Sequence, residues 1–167
     1  TLGIASGFAL KYVINWLAVD NFRINQNNFL LEFLCIILFI WSSYNLSTFD
    51  AVMFSIIVIT LLGISVVDLY TMQIPLLFIL GGSCVVLISI LKQSIDVSSA
   101  VFGIFVGGII PLLIMGLMWL ITKRQGMGYG DIQLGFVLGA WLGPMRMALT
   151  LFFASLLSLI AWIIVSI

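Results

Sequence analysis

Charge is what this sequence has least of. Six Lys and Arg balance six Asp and Glu, and charged residues make up 7% of the 167, against 63% hydrophobic. Soluble domains carry about 25% charged residues. With a mean hydropathy of +1.34, this chain has too little polar surface to cover a globule in water. Histidine is absent, which excludes a Ser-His-Asp triad and imidazole-bound metal. Zero net charge without a basic cluster argues against a nucleic-acid partner. The two cysteines, Cys35 and Cys84, each sit inside an apolar run, and no Cys-x-x-Cys occurs. Neither a disulfide framework nor a zinc finger has a basis, and such cysteines are expected to pack as small apolar groups.

What the chain does have is apolar length. A spanning helix takes about 20 apolar residues. Seven apolar runs stand out, over residues 2–19, 29–41, 51–67, 74–91, 100–121, 132–142 and 147–167. They predict an all-α fold, a polytopic integral membrane helical bundle of about seven transmembrane helices, as one membrane-embedded domain over 1–167. The second and sixth runs are short, and the sixth suits a tilted or re-entrant helix. The opening run has no basic n-region and no convincing A-x-A site, so it reads as a span rather than a signal peptide.

The connecting segments hold nearly all the charge. The first carries Asp20, Arg23 and the polar stretch 25–28; the second Asp50; the third Asp68; the fourth Lys92 and Asp96; the fifth Lys123, Arg124 and Asp131; the sixth Arg146. With seven spans, odd-numbered segments share a face. Three basic residues against two vote for that face being cytoplasmic. Two runs separate Asp68 from Asp131, so the two aspartates are expected on the same side.

Lys11 falls near the middle of the first run, where an unpaired Lys would cost about 3 kcal/mol or more. A native start upstream of Thr1 would move it toward the membrane edge and let it snorkel. The sharper alternative is pairing with Glu32. Gly103 and Gly107, and Gly135, Gly139 and Gly143, recur every four residues. That spacing lines one helix face with small residues and predicts close helix packing.

Asp68 and Asp131 are the chemistry candidates. Each is a carboxylate at a helix–interface junction, and Gly128 and Gly130 flank Tyr129 just before Asp131. Glycine lets a backbone bend tightly and lets another peptide approach. Irregular backbone at membrane depth is tolerated where it lines a cavity. Two carboxylates close together in a low-dielectric site share one proton, so one can take a proton from water while the other donates to a carbonyl oxygen. That needs no histidine and no metal. The same residues also fit plainer roles: Asp131 as a helix N-cap, Asp68 as an interfacial charge.

Gly-Met-Gly-Tyr-Gly-Asp over 126–131, continuing through Ile132-Gln133-Leu134 and Leu138-Gly139-Ala140-Trp141-Leu142-Gly143, resembles the signature of type IV prepilin peptidases, bacterial inner-membrane aspartic proteases of the GxGD class. Val67-Asp68-Leu69-Tyr70-Thr71-Met72-Gln73-Ile74-Pro75 is similar to that family's other aspartate segment, and Phe29-Leu30-Leu31-Glu32-Phe33-Leu34 to the stretch after its cytoplasmic loop. The resemblance implies catalytic Asp68 and Asp131, supported by Gly128 and Gly130. It implies endopeptidase cleavage of a short basic leader from prepilin or pseudopilin substrates, after a glycine, at the cytoplasmic membrane face. An apolar groove would hold the substrate helix, with the glycine-bearing faces of the fifth and sixth runs as walls.

Several features depart from longer relatives. The first loop is cut to residues 20–28 and has no cysteine, so their structural zinc is not expected. Proteolysis needs no cofactor. S-adenosylmethionine would be needed only if N-methylation of the new terminus is retained, with Glu32 as the methylation-associated residue. Leu76 stands where relatives often have a polar residue. Relatives also continue into an eighth span, so a compact member or a trimmed chain both fit. Presenilin-like proteases share GxGD but need Pro-Ala-Leu, and none of Pro75, Pro111 or Pro144 is followed by Ala-Leu. The non-enzymatic alternative is a membrane transporter, channel or assembly protein with Asp68 and Asp131 as ion or proton ligands; the sequence shows no repeat of the kind transporters often carry.

Overall fold

The structure is a computed structural model that describes residues 2–24, 29–123 and 128–166. The polar stretch 25–28, Arg124, and the Gly126 and Met127 of the glycine motif lie outside the described residues. Every regular element among those described is helical, and the chain forms two compact units, Thr1–Ser94 and Ile95–Ile167.

The first unit holds α1 (Leu2–Leu17), α2 (Leu30–Asn45), α3 (Thr48–Thr71) and α4 (Leu76–Leu91). Helix α1 packs on α2 and α3, α2 on α3, and α3 on α4. The core is mainly aliphatic, with Leu10, Ile14, Ile57, Ile64, Val67 and Val85 buried beside the ring of Phe78 and with Cys35 among them. Small residues let the helices close up. The hydroxyls of Ser42 on α2 and Ser55 on α3 lie 3.1 Å apart and are buried, and Ser55 also donates to the Ala51 carbonyl. Ser47 caps α3: its hydroxyl accepts from the Asp50 amide at 3.3 Å and donates to the Asp50 carboxylate at 2.7 Å. This N-cap sets Asp50 in the first turn of the helix, which starts earlier than the apolar run. Asp68 is likewise inside α3, in its last turn. The helix stops at Met72, which turns left-handed (φ 52) and donates its amide to the Asp68 carbonyl, and Pro75 then opens α4.

Lys11 does not snorkel. Its ammonium meets Glu32 Oε1 at 2.6 Å, with both side chains at most 5% exposed, and the rings of Phe8 and Phe29 stand 5.8 and 5.6 Å from the nitrogen. Neither Glu32 oxygen has a well-aligned hydrogen bond among the described residues, so the contact is ionic. Gly7 makes it possible: a Cβ there would come 2.7 Å from the Glu32 Cα.

The second unit holds α5 (Val97–Ile104), a π-helical turn (Phe105–Ile109), α6 (Ile110–Thr122) and α7 (Tyr129–Ser166). The first three run on as one rod, Val97–Thr122. Pro111, near the start of α6, cannot donate to residue 107, and its ring would press on that carbonyl. The wider π turn ahead of it absorbs both. Asp96 caps α5, accepting from the Ser99 amide at 3.1 Å and from the Ser98 hydroxyl. Chiefly that hydroxyl, then the amide, hold the Asp96 carboxyl below its usual range.

The glycine faces pack on each other. A Cβ at Gly103 would run into the Gly139 carbonyl, and one at Gly135 into the Gly107 carbonyl. The sequence pattern is therefore a packing signal, as its spacing implied. Those faces are consumed by that contact, so they are not open walls of a groove. The sixth and seventh runs are halves of α7, bent at Gly143 (φ 75, ψ 173) just before Pro144. The two segments are separated by that one non-helical residue rather than by a loop, and Arg146 lies on the second segment. Met147 is still buried, but from Phe152 onward α7 is largely apolar and exposed all round, with Phe152, Phe153, Leu157 and Trp162 each more than half exposed. A helix apolar on every side suits lipid or a protein core, not water.

Three helices are long and apolar enough to cross a membrane: Thr48–Thr71, Val97–Thr122 and Tyr129–Ser166. Leu30–Asn45 and Leu76–Leu91 are apolar but shorter, and α1 has 16 residues. The seven expected spans thus resolve into three full-length helices and shorter ones.

Candidate active site

Asp68 lies in the first unit, in the last turn of α3, and is exposed. Carbonyls at a helix C-terminus concentrate partial negative charge, so a carboxylate there is disfavoured by the helix itself. Its neighbours are unusually open: Leu69, Tyr70 and Met72 are 79%, 71% and 90% exposed. The connection after α1 returns to this turn. Phe22 stacks on Tyr70 with ring centroids 4.5 Å apart, and Gln73 donates to the Asp20 carboxylate at 2.8 Å. Sequence reasoning missed these partners, since residues so far apart in the chain leave no mark in a single sequence.

Asp131 lies in the second unit, in the first turn of α7, and is exposed. The helix begins at Tyr129, so Asp131 is its third residue and not its N-cap. Here the helix dipole favours a carboxylate. A Cβ at Gly128 would come 3.2 Å from an Asp131 carboxylate oxygen. Gly128 thus gives the acid room, while Gly130 is already helical. Tyr129 and, from α6, Met115, Gly116 and Trp119 line a cavity of about 220 Å³ beside this turn. A larger one, about 380 Å³, lies between α1 and α2 against Ile4, Ile36 and Phe39 and contains neither aspartate.

The structure thus brings Gly128 up to Asp131 in one unit and places Asp68 and Glu32 in the other. Glu32 is buried against Lys11 and is not an open carboxylate. Among the described residues, no three His, Cys, Asp or Glu side chains cluster as a metal site.

The chemistry available is that of two acids, each on a helix end, one beside a glycine-relieved turn. The sequence profile described as the type IV leader peptidase family matches residues 55–163, a stretch that includes Asp68, Gly128, Gly130 and Asp131. This chain belongs to that family. Among curated proteins it is similar to the prepilin leader peptidase/N-methyltransferase of Aeromonas hydrophila, 34% identical over 103 residues, covering 58% of this chain and 33% of that protein. The Aeromonas salmonicida (strain A449) protein of the same name is 34% identical over 107 residues, 60% and 35% of the two chains. That of Escherichia coli (strain K12) is 38% identical over 63 residues, 37% and 28%. The matches span about a third of these relatives' own length. No solved structure gives a significant match.

Proposed function

We propose that this chain is a membrane aspartic endopeptidase that removes the basic leader of type IV prepilins or pseudopilins, cutting after a glycine at the cytoplasmic face of the bacterial inner membrane. The observation that carries the reading is the family match over 55–163, which takes in both aspartates and the glycines before Asp131. In this reading all 167 residues act as one membrane-embedded domain that crosses the bilayer about seven times, some crossings made by the shorter helices. Two helical stretches, α4 and Val97–Thr122, separate Asp68 from Asp131, which returns the chain to the same side if both cross.

One aspartate, ionised, takes a proton from a water molecule, whose oxygen attacks the scissile carbonyl. The other, protonated, donates to the carbonyl oxygen. Collapse of the tetrahedral intermediate breaks the C–N bond, and the leaving amine takes up a proton. No cofactor enters these steps, and we propose no zinc. Methylation of the new terminus would require S-adenosylmethionine; the Lys11 contact favours a structural role for Glu32 over a methyl-transfer one. The test is incubation of the purified protein with a prepilin in detergent, with and without S-adenosylmethionine, reading product masses. Cleavage after the glycine supports the reading, and a product heavier by one methyl group shows that methylation survives. Intact prepilins beside folded protein would refute it.

A further inference from the structure

We propose that the segment Val19–Ile24 is a clamp that positions the Asp68 turn, with Asp20, Phe22, Tyr70 and Gln73 as positioning residues; this rests on the peptidase reading of Asp68. Four observations, all within the first unit, converge on it. The segment is entered through strained backbone: Ala18 (φ 41) and Asp20 (φ 50) are left-handed without being glycine, a conformation that persists only where surrounding contacts impose it. Its far end is tied back to α1 by the Asn15 amide, which accepts from the Ile24 N–H at 2.7 Å and donates to the Ile24 carbonyl at 3.3 Å. Its middle stacks Phe22 on Tyr70, 4.5 Å apart and within 19° of parallel. Its start holds Gln73 through the Asp20 carboxylate at 2.8 Å.

Tyr70 lies two residues after Asp68, and Gln73 lies just past the Met72 cap. The contacts therefore grip the turn on either side of its left-handed exit. A final helical turn frays readily because its carbonyls lack intrahelical partners, yet a catalytic group must be held to within about 0.5 Å. A turn that only ended a helix would not need a strained segment folded across it. The strain is better understood as spent on fixing Asp68.

The test separates positioning from stability and from the peptidase reading itself. F22A, D20A and Q73A are compared with wild type for kcat and KM on a prepilin peptide, for thermal midpoint, and for amide exchange over residues 66–72. We expect kcat to fall about tenfold or more, as for a small misplacement of a reacting group, with KM within about twofold, an unchanged midpoint and faster exchange in that stretch. F22Y keeps the ring, and D20N keeps both the acceptor and a residue type that tolerates φ > 0; each should restore kcat to within about twofold of wild type, the margin that separates rescue from the tenfold loss. Unchanged kcat in all three alanine variants overturns the proposal. So does a parallel fall of kcat and midpoint that neither conservative variant rescues. A wild type that cleaves nothing instead overturns the peptidase reading and the positioning role with it. The exchange data would then still decide whether the clamp exists.

Discussion

The two aspartates sit at opposite ends of their helices, and this gives them opposite signatures. Asp68 occupies a C-terminal turn and Asp131 an N-terminal one. Charge at a helix end is worth roughly 0.3–1 kcal/mol, favourable for an acid at the N-terminus and unfavourable at the C-terminus. Asp68→Asn should therefore raise the thermal midpoint slightly, and Asp131→Asn lower it, while both abolish cleavage. Stability gained on losing activity would mark Asp68 as retained for chemistry. A fall in midpoint for Asp68→Asn would contradict that. Glu32 should behave differently. Removing one partner of a buried pair costs about 3–5 kcal/mol, whereas replacing both by apolar groups is often neutral. Lys11→Met and Glu32→Gln should each destabilise strongly, and Lys11→Met with Glu32→Met should recover most of the loss, as read by thermal unfolding in detergent.

At the scale of elements, glycine placement decides what a helix can tolerate. Gly103→Ala and Gly139→Ala place a methyl against backbone carbonyl and should unfold or severely weaken the second unit. Gly116 has nothing within 4 Å of an added Cβ, and its replacement by Ala should be neutral or stabilise by up to about 1 kcal/mol. Circular dichroism melts of the three variants check this. The cap of α5 makes a pH prediction. Because folding lowers the Asp96 pKa, the cap contributes fully above the unfolded value of about 3.9. Its contribution is lost as pH falls through the lower folded value. Amide exchange at Ser99 should rise in that acid window, and Asp96→Ala should remove the dependence. These elements also show what a sequence exposes. The apolar runs located the helices, and the four-residue glycine spacing marked the faces that pack closely, because both are local periodicities; that these faces meet each other came from the structure. The division between the sixth and seventh runs falls at the Gly143 break in α7, but a loop and a sharp bend at Gly143-Pro144 leave the same gap in hydropathy, so the sequence did not show that the break is a single residue. The Asp20–Gln73 and Phe22–Tyr70 contacts escaped notice because they join distant positions with no shared pattern. Lys11–Glu32 lay between these cases: the buried charge demanded a partner, and Glu32 was the acid within the neighbouring run.

For the whole molecule, the apolar exterior is the dominant fact. The far half of α7 and much of Val97–Thr122 expose Leu, Ile, Phe and Trp, with a mean hydropathy for the chain of +1.34. Such a surface requires lipid or detergent. The chain also belongs to the type IV leader peptidase family. In the proposed reading, Asp68 and Asp131 together cut the leader from a prepilin. The most direct measurement is cleavage of one prepilin in detergent by wild type, Asp68→Asn and Asp131→Asn, with product masses and the fold of each variant recorded. Wild type should make a single cut after a glycine, and neither variant should cut. Normal cleavage by either folded variant would contradict it.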